Sequence, residues 1–307
     1  MVIDCLETVA PQAEKMHAKV VVVDNHSADG SADLIQAWIK DSGTSATVRL
    51  LVSEHNGGFA AGNNLGIAAE SAEYYLLLNS DTLLRENALN EMLSAISSDE
   101  SVGLLSPRLE WPDGTPQESC FRFHHPISQL LSSANTGVLL KLFSNFEVAH
   151  RISDESRNCS WTSFACILIR KTVLEQLDNL DEKFFMYFED VEFCWRAGSK
   201  GWKIRNHPAA KVVHLRGGSS PVKSNKIERK RQAKYVYESR TRYFYLVYGH
   251  SGLLFANLLW TLGWSIALIR SVFQQNFSVP ACKREWKDIW INFFEPEKPY
   301  QHPETYK

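Results

Sequence analysis

The chain has 307 residues, 44% of them hydrophobic and 22% charged, which suits one large globular domain with an appendage. A net charge of -2 gives the whole chain no polyanion-binding signature, so nucleic acid is not an expected partner. Six scattered cysteines with no CxxC pair exclude a disulfide scaffold or zinc ribbon and point to free thiols in a reducing compartment.

The N-terminus has no basic-then-apolar leader, so the catalytic part is expected to stay in the cytoplasm. Residues 19–24 read KVVVVD, a short β-branched run of the kind that forms a strand buried on both faces. Leu34, Ile35, Trp38 and Ile39 then give residues 31–40 helical spacing. A second strand is expected over 48–53, followed by His55-Asn56-Gly57-Gly58 and an alanine-rich helix over 59–70. Residues 74–79 (YYLLLN) read as a third strand, ending in Ser80-Asp81. This alternation implies βαβ units in an α/β sheet, and ligands of such sheets bind beyond the carboxyl ends of the strands. Asp24, Asn56 and Asp81 all sit at such ends.

From Ser101 the rhythm changes, with Pro107, Pro112, Gly114 and Pro116 marking loops. An irregular stretch is expected from His124 to about Cys159. Strand texture returns over 164–170, and Phe184 to Asp190 (FFMYFED) leads into a helix over 191–201. A last short strand, KVVH, ends at His214 before Gly217-Gly218. Residues 203–242 are rich in Lys and Arg, and residues 251–269 are uncharged, about the minimum length of a membrane-spanning helix. Flanking basic residues are balanced, so the segment reads as spanning, interfacial or simply buried.

Four constellations carry chemistry. Asn79-Ser80-Asp81 places a carboxylate just past a buried strand, where Mg²⁺ or Mn²⁺ bound to phosphates needs one or two protein carboxylates; the plain alternative is a turn. Glu189-Asp190, behind an aromatic wall at a helix start, suits a general base; the alternative is an acidic first turn answering the helix dipole. His214 could ligate a transition metal or simply bond solvent at a strand end. The glycines of Asn56-Gly57-Gly58-Phe59-Ala60-Ala61-Gly62-Asn63-Asn64 allow close backbone approach to phosphate or ribose, yet match neither GxGxxG nor the P-loop.

In this order VVVDNHSADGS, HNGGFAAGNNLG, YLLLNSD, FFMYFEDVEFCWR and VVHLRGG resemble a family-2 glycosyltransferase of the bacterial rhamnosyltransferase-like branch. The resemblance covers roughly residues 3–220. It implies the GT-A fold, a mixed, mostly parallel sheet between helices, and a metal-dependent, inverting transfer in polysaccharide synthesis. Asp24 then matches a residue contacting base or ribose, and Asn56, Gly58 and Asn64 the loop along the nucleotide. Asp81 matches the metal-binding end of a DxD-type motif whose first carboxylate is here Asn79, and His214 a late metal ligand. Asp190 matches the general base with Glu189 its neighbour, and Trp161 an aromatic near the acceptor. The implied partners are a dTDP- or UDP-sugar, a glycan or polyprenyl-linked acceptor, and a membrane surface at the cytoplasmic face of a bacterial inner membrane.

Two departures stand out. The family opens with a strand that this sequence lacks, because Met1 to Leu6 matches the helix after it; a truncated, inactive nucleotide-sugar-binding homologue is therefore the rival expectation. Phe164 replaces a small residue and is expected to reshape the acceptor pocket. A nucleotidyltransferase would want a basic glycine-rich loop after the first strand, and that stretch is not present. The expected domains are 1–222, catalytic, and 223–307, helical and membrane-associated.

Overall fold

The computed structural model describes residues 1–216, 222–274 and 276–306, which leaves the expected Gly217-Gly218 turn outside. Helix α1 (Val2–Lys15) buries Cys5, Leu6, Val9, Ala10 and Ala13, one face at helical spacing. Strand β1 (Val20–Asp24) connects through α2 (Ser31–Asp41) to β2 (Val48–Val52), and the two strands pair in parallel with Val20 opposite Val48. Then follow α3 (Gly58–Ala69), β3 (Tyr74–Leu78), β4 (Thr82–Leu84), α4 (Ala88–Ser97) and β5 (Val102–Glu110). The middle of the chain holds β6 (Cys120–Phe121), α5 (Pro126–Ala134), α6 (Gly137–Leu142), β7 (Arg157–Cys159), β8 (Trp161–Thr162), β9 (Cys166–Arg170) and α7 (Lys171–Leu177). Helix α8 (Glu189–Ser199), β10 (Lys203–His214), α9 (Val222–Ile227), α10 (Lys234–Phe273) and α11 (Glu285–Asp288) complete it.

The main sheet runs β3-β9-β5-β10-β4, with β7 on β10. It is mixed: β5 and β10 are parallel, while β9 runs antiparallel to both β3 and β5. Among the described residues β1 pairs only with β2, and β3 only with β9. Each therefore leaves one edge without a ladder. Leu6, Val9, Ile35, Leu84 and Leu105 nevertheless share a single core cluster, so the two half-sheets are held together by the helix beneath them. The split shows in the burial: Val20 to Val23 are only partly buried, although so apolar a run suits full burial.

Three expectations need correction. The loop expected at Pro107 is instead part of β5, a central strand buried almost throughout, while Pro112 and Gly114 lie in a turn beyond its end. Pro107 is tolerated there because β10 slips register between His207 and Lys211, directly opposite it, and Asn206 donates to the Pro107 carbonyl at 2.9 Å. The last strand is likewise not four residues but twelve, because the same slip carries it past Pro208. The irregular stretch from His124 contains α5 and α6. Helix α5 starts at Pro126, with His125 as a reciprocal cap: its ring accepts from Ile127 and its N–H donates to Ser128.

The apolar segment 251–269 lies in the second limb of α10, beyond a kink at Gly249 (φ 68°). Helix α10 packs on the rest of the chain mainly through α5, and also against α8.

Candidate active site

The turn after β3 is built from backbone bonds. Asn79 donates its N–H to Ala165 at 2.9 Å, and the Thr82 hydroxyl closes on the Asn79 carbonyl at 2.6 Å. Asp81 is thereby fixed and 4% exposed. Strand β4 then pairs antiparallel with the end of β10, placing His214 opposite Thr82. Gln117 donates to the His214 carbonyl at 2.8 Å, and Leu215 donates to the Asp81 carbonyl at 2.9 Å. As a result His214 Nε2 lies 3.5 Å from Asp81 Oδ2, although 133 residues separate them in the chain. The other ring nitrogen, Nδ1, is buried without a hydrogen-bond partner, so the plain reading of a solvent-bonded strand-end histidine does not describe it.

Two donors at that separation fit one divalent ion. Neighbouring ligands of an octahedral Mg²⁺, each at about 2.1 Å, lie about 3 Å apart. Among the described residues no group of three His, Cys, Asp or Glu side chains converges, so an ion held by these two side chains would need phosphate and water oxygens to complete its shell. That is how phosphate-bound Mg²⁺ is usually held.

Asp24 is 5% exposed at the end of β1. One carboxylate oxygen caps Ser27 N–H at 2.7 Å, and the other is buried without a partner. Asn25 donates to Asn56 Oδ1 at 3.1 Å and to the Gly58 carbonyl at 2.8 Å. Asn64 lies six residues beyond Gly58 in α3. Its amide is spent on Leu180, both accepting and donating, and on Glu182, so it anchors the loop that leads into FFMYFED. Gly58 meets that loop directly. It has φ +82°, and a Cβ there would lie 2.0 Å from the Phe185 carbonyl oxygen. Gly58→Ala is expected to lower Tm by at least about 5 °C and to weaken donor binding, read by thermal melts with and without nucleoside diphosphate.

A wall that sequence reading missed comes from the far end of the chain. His302 Nε2 lies 2.8 Å from the Asn56 carbonyl, Tyr300 donates to the Gly57 carbonyl at 3.3 Å, and both rings pack on Phe185. Removing residues 299–307 should raise donor KM about tenfold at little change in kcat, because it loosens the donor loop and leaves the turn after β3 alone. Equal donor KM in the shortened protein would show that the strap holds nothing that matters to binding.

The third element is the entry to α8. Tyr187 and Phe188 both take positive φ, 70° and 66°, a costly conformation for aromatic residues. It turns Glu189 and Asp190 inward. Asp190 accepts N–H bonds from Val191, at 2.9 Å, and from Phe164. Burial outweighs those bonds and pushes its carboxyl up to about 6. Glu189 is 6% exposed, and burial together with the Asp190 charge holds its carboxyl well above the ordinary range. Glu192 is a structural partner, bound to Arg196 through two bonds of 2.6 and 2.9 Å.

Phe164 does not reshape the pocket as expected. Its ring is 2% exposed and packs edge-on against Phe193 in the core, 5.8 Å between centroids. Its backbone matters instead. Phe164 N–H binds Asp190, and the next carbonyl, Ala165, binds Asn79, so one short loop ties the carboxylate of α8 to the Asp81 turn. Trp161 lies at the start of that loop, stacked on Phe121 at 4.3 Å with its indole N–H on the Arg122 carbonyl. His124 bridges Trp161 and Phe188, at 5.7 and 5.2 Å, and desolvation, then the Arg240 and Lys226 charges, lower its pKa to about 4. This neutral, aromatic-lined side sits next to Asp190.

The profile of glycosyl transferase family 2 matches residues 1–177. The chain is 28% identical over 272 residues to the N-acetylglucosaminyl-diphospho-decaprenol L-rhamnosyltransferase of Mycobacterium tuberculosis, covering 83% of each protein. It is 26% identical over 230 residues to a low-salt glycan biosynthesis hexosyltransferase of Haloferax volcanii, covering 73% of this chain and 66% of that protein. Among solved structures it resembles a mannosyltransferase from Pyrobaculum calidifontis in complex with GDP-Man and Mn²⁺, with TM-score 0.54 and 14% identity over 97% of this chain and 83% of the other. That likeness gives the fold, GT-A.

Proposed function

Because the chain belongs to glycosyl transferase family 2, we propose that it moves a sugar, rhamnose foremost, from a dTDP- or UDP-sugar to a lipid-linked glycan, inverting the anomeric centre. The observation that carries this reading is the 3.5 Å approach of His214 to Asp81, tied through the 161–166 loop to Asp190. Asp81 and His214 would hold Mn²⁺ or Mg²⁺ against the donor diphosphate, and Asn79 sits beside them for the ribose. When bound, such an ion neutralises the charge that develops on the leaving diphosphate. Asp24, with one oxygen spare, faces the nucleotide, and the Asn56–Gly58 loop lines it.

Asp190 takes the proton of the attacking acceptor hydroxyl. A carboxylate raised to about 6 is ionised at neutral pH yet more basic than an ordinary aspartate, which suits that task. Burial and the Asp190 charge both favour the protonated form of Glu189, so the base role is assigned to Asp190, with Glu189 as its buried neighbour. Trp161 and His124 give the acceptor sugar an apolar face to lie on. We take residues 1–222 as the catalytic part and 223–307 as a helical appendage, and place the chain at the cytoplasmic face of a membrane.

The split sheet favours a second reading, a non-catalytic binder of nucleotide-sugars. One experiment separates the two. Incubation with dTDP-rhamnose, Mn²⁺ and a GlcNAc-diphospho-lipid should yield free dTDP and a rhamnosylated lipid. Donor binding without any turnover, across both dTDP- and UDP-sugars, would leave the binder.

A further inference from the structure

The second limb of α10 carries a run of exposed apolar side chains that begins at Leu254 and Phe255 and is most exposed at its C-terminal end. Beyond Gly249, α10 turns one face to α5 and buries Leu253, Ala256, Trp260 and Ala267. The contact is close: a Cβ on Gly263 would lie 2.2 Å from Ser133 Oγ and 2.6 Å from the Leu130 carbonyl oxygen. The opposite face is bare, with Ile269 62%, Val272 77% and Phe273 82% exposed. Arg270 donates to the Asn135 carbonyl at 2.7 Å, which brings the start of α6 to the same end. Helix α6 adds Val138, 79% exposed, and Leu142, 69%.

We propose that this end is a seat for an anionic lipid surface, and that α10 lies on the membrane rather than crossing it. Charge and aromatic placement favour that occupant over a protein partner. Lys141 and Arg270 are interleaved with the bare apolar residues. In the second limb of α10, Trp264 stacks with Trp286 at 6.3 Å, and Lys287 Nζ stands 5.0 Å over the Trp286 ring, near Lys283 and Arg284 in a stretch that also holds Glu285 and Asp288. Amphipathic aromatics beside cations are what a headgroup layer selects.

Crossing is disfavoured by a buried polar pair. Arg240, on the first limb of α10, donates to Asn257 Oδ1 at 2.7 Å and to Gln129 Oε1 at 3.0 Å. Asn257 is fully buried in the second limb, inside the very segment that would have to span. Drawing that limb into hydrocarbon strips Asn257 from Arg240 and leaves a buried charge without its partner. The seat rests on the proposed placement of the chain at a membrane and not on the transfer reaction or its acceptor.

Vesicle binding is measured without donor or acceptor, so the two ideas fail separately. The full chain should sediment with phosphatidylglycerol vesicles, bind phosphatidylcholine vesicles at least about tenfold more weakly, and be released by alkaline carbonate. The double variant Val272→Asp, Phe273→Asp should lose at least about tenfold in vesicle affinity at unchanged Tm and unchanged transfer to a soluble acceptor. Val138→Asp, on a different helix, should weaken binding in the same direction. Resistance to carbonate, equal binding to both lipids, or wild-type binding by these variants would overturn the proposal.

Discussion

Asp190→Asn should cut kcat by about 10²–10⁴-fold while donor binding stays within about twofold of wild type. The amide keeps the size of the carboxylate and can still accept from Val191 and Phe164 N–H, so the loop that ties α8 to the Asp81 turn is retained. What is lost is the proton acceptor. Stability should not fall with activity. Burial is what raises the Asp190 carboxyl, so the folded state binds a proton more readily than the unfolded chain. Ionising that group therefore costs stability as pH rises from the unfolded value toward about 6, and the neutral amide escapes this cost. The variant is expected to melt at or above the wild-type temperature near neutral pH. Wild-type kcat/KM should rise with pH through about 6, as Asp190 ionises in the free enzyme, and the residual activity of the variant should lose that step. Wild-type turnover in Asp190→Asn would remove Asp190 from the reaction.

Asp81→Ala should cost at least about 10²-fold in kcat/KM and abolish the stimulation of donor binding by Mn²⁺, since a metal clamp on a phosphate leaving group supplies several kcal/mol. His214→Ala should cost less at saturating Mn²⁺ but need about tenfold more ion for half-maximal activity. The two side chains stand 3.5 Å apart, so their effects should couple: the double variant should be little worse than Asp81→Ala alone. Fully additive losses would mean that they do not share one ion.

How much of this could be read from residues alone follows a physical line. The first three strands and their intervening helices were legible because each is a short run with unambiguous periodicity, ended by turn residues. β5 was not, because Pro107 argues against a central strand unless the neighbouring strand slips, and the slip lies about 100 residues away at His207 and Lys211. α5 was hidden by a histidine cap, which is not a usual start signal.

The site divides similarly. Asp24, Asn56, Gly58, Asp81, Asp190 and His214 stood out because each ends a strand, starts a helix or sits among glycines. Their mutual placement was not in the spacing: Asp81 and His214 meet only because β4 pairs with the end of β10. His302 and Tyr300 could not be found, since a lone histidine and tyrosine near a C-terminus carry no signal until the fold returns them to the Asn56–Gly58 loop. Phe164 misled for a related reason. Its sequence position is beside the acceptor side, but its side chain turns into the core and only its backbone serves the site.

On the proposed function, one divalent ion is gripped by Asp81 and His214 together. Pulsed electron paramagnetic resonance of Mn²⁺ in the presence of dTDP or UDP tests it most directly. The wild-type spectrum should carry nitrogen hyperfine coupling from a directly bound imidazole, His214→Ala should bind the ion without that coupling, and Asp81→Ala should bind it weakly or not at all. Wild-type Mn²⁺ with no nitrogen coupling, or coupling that survives in His214→Ala, would contradict the account.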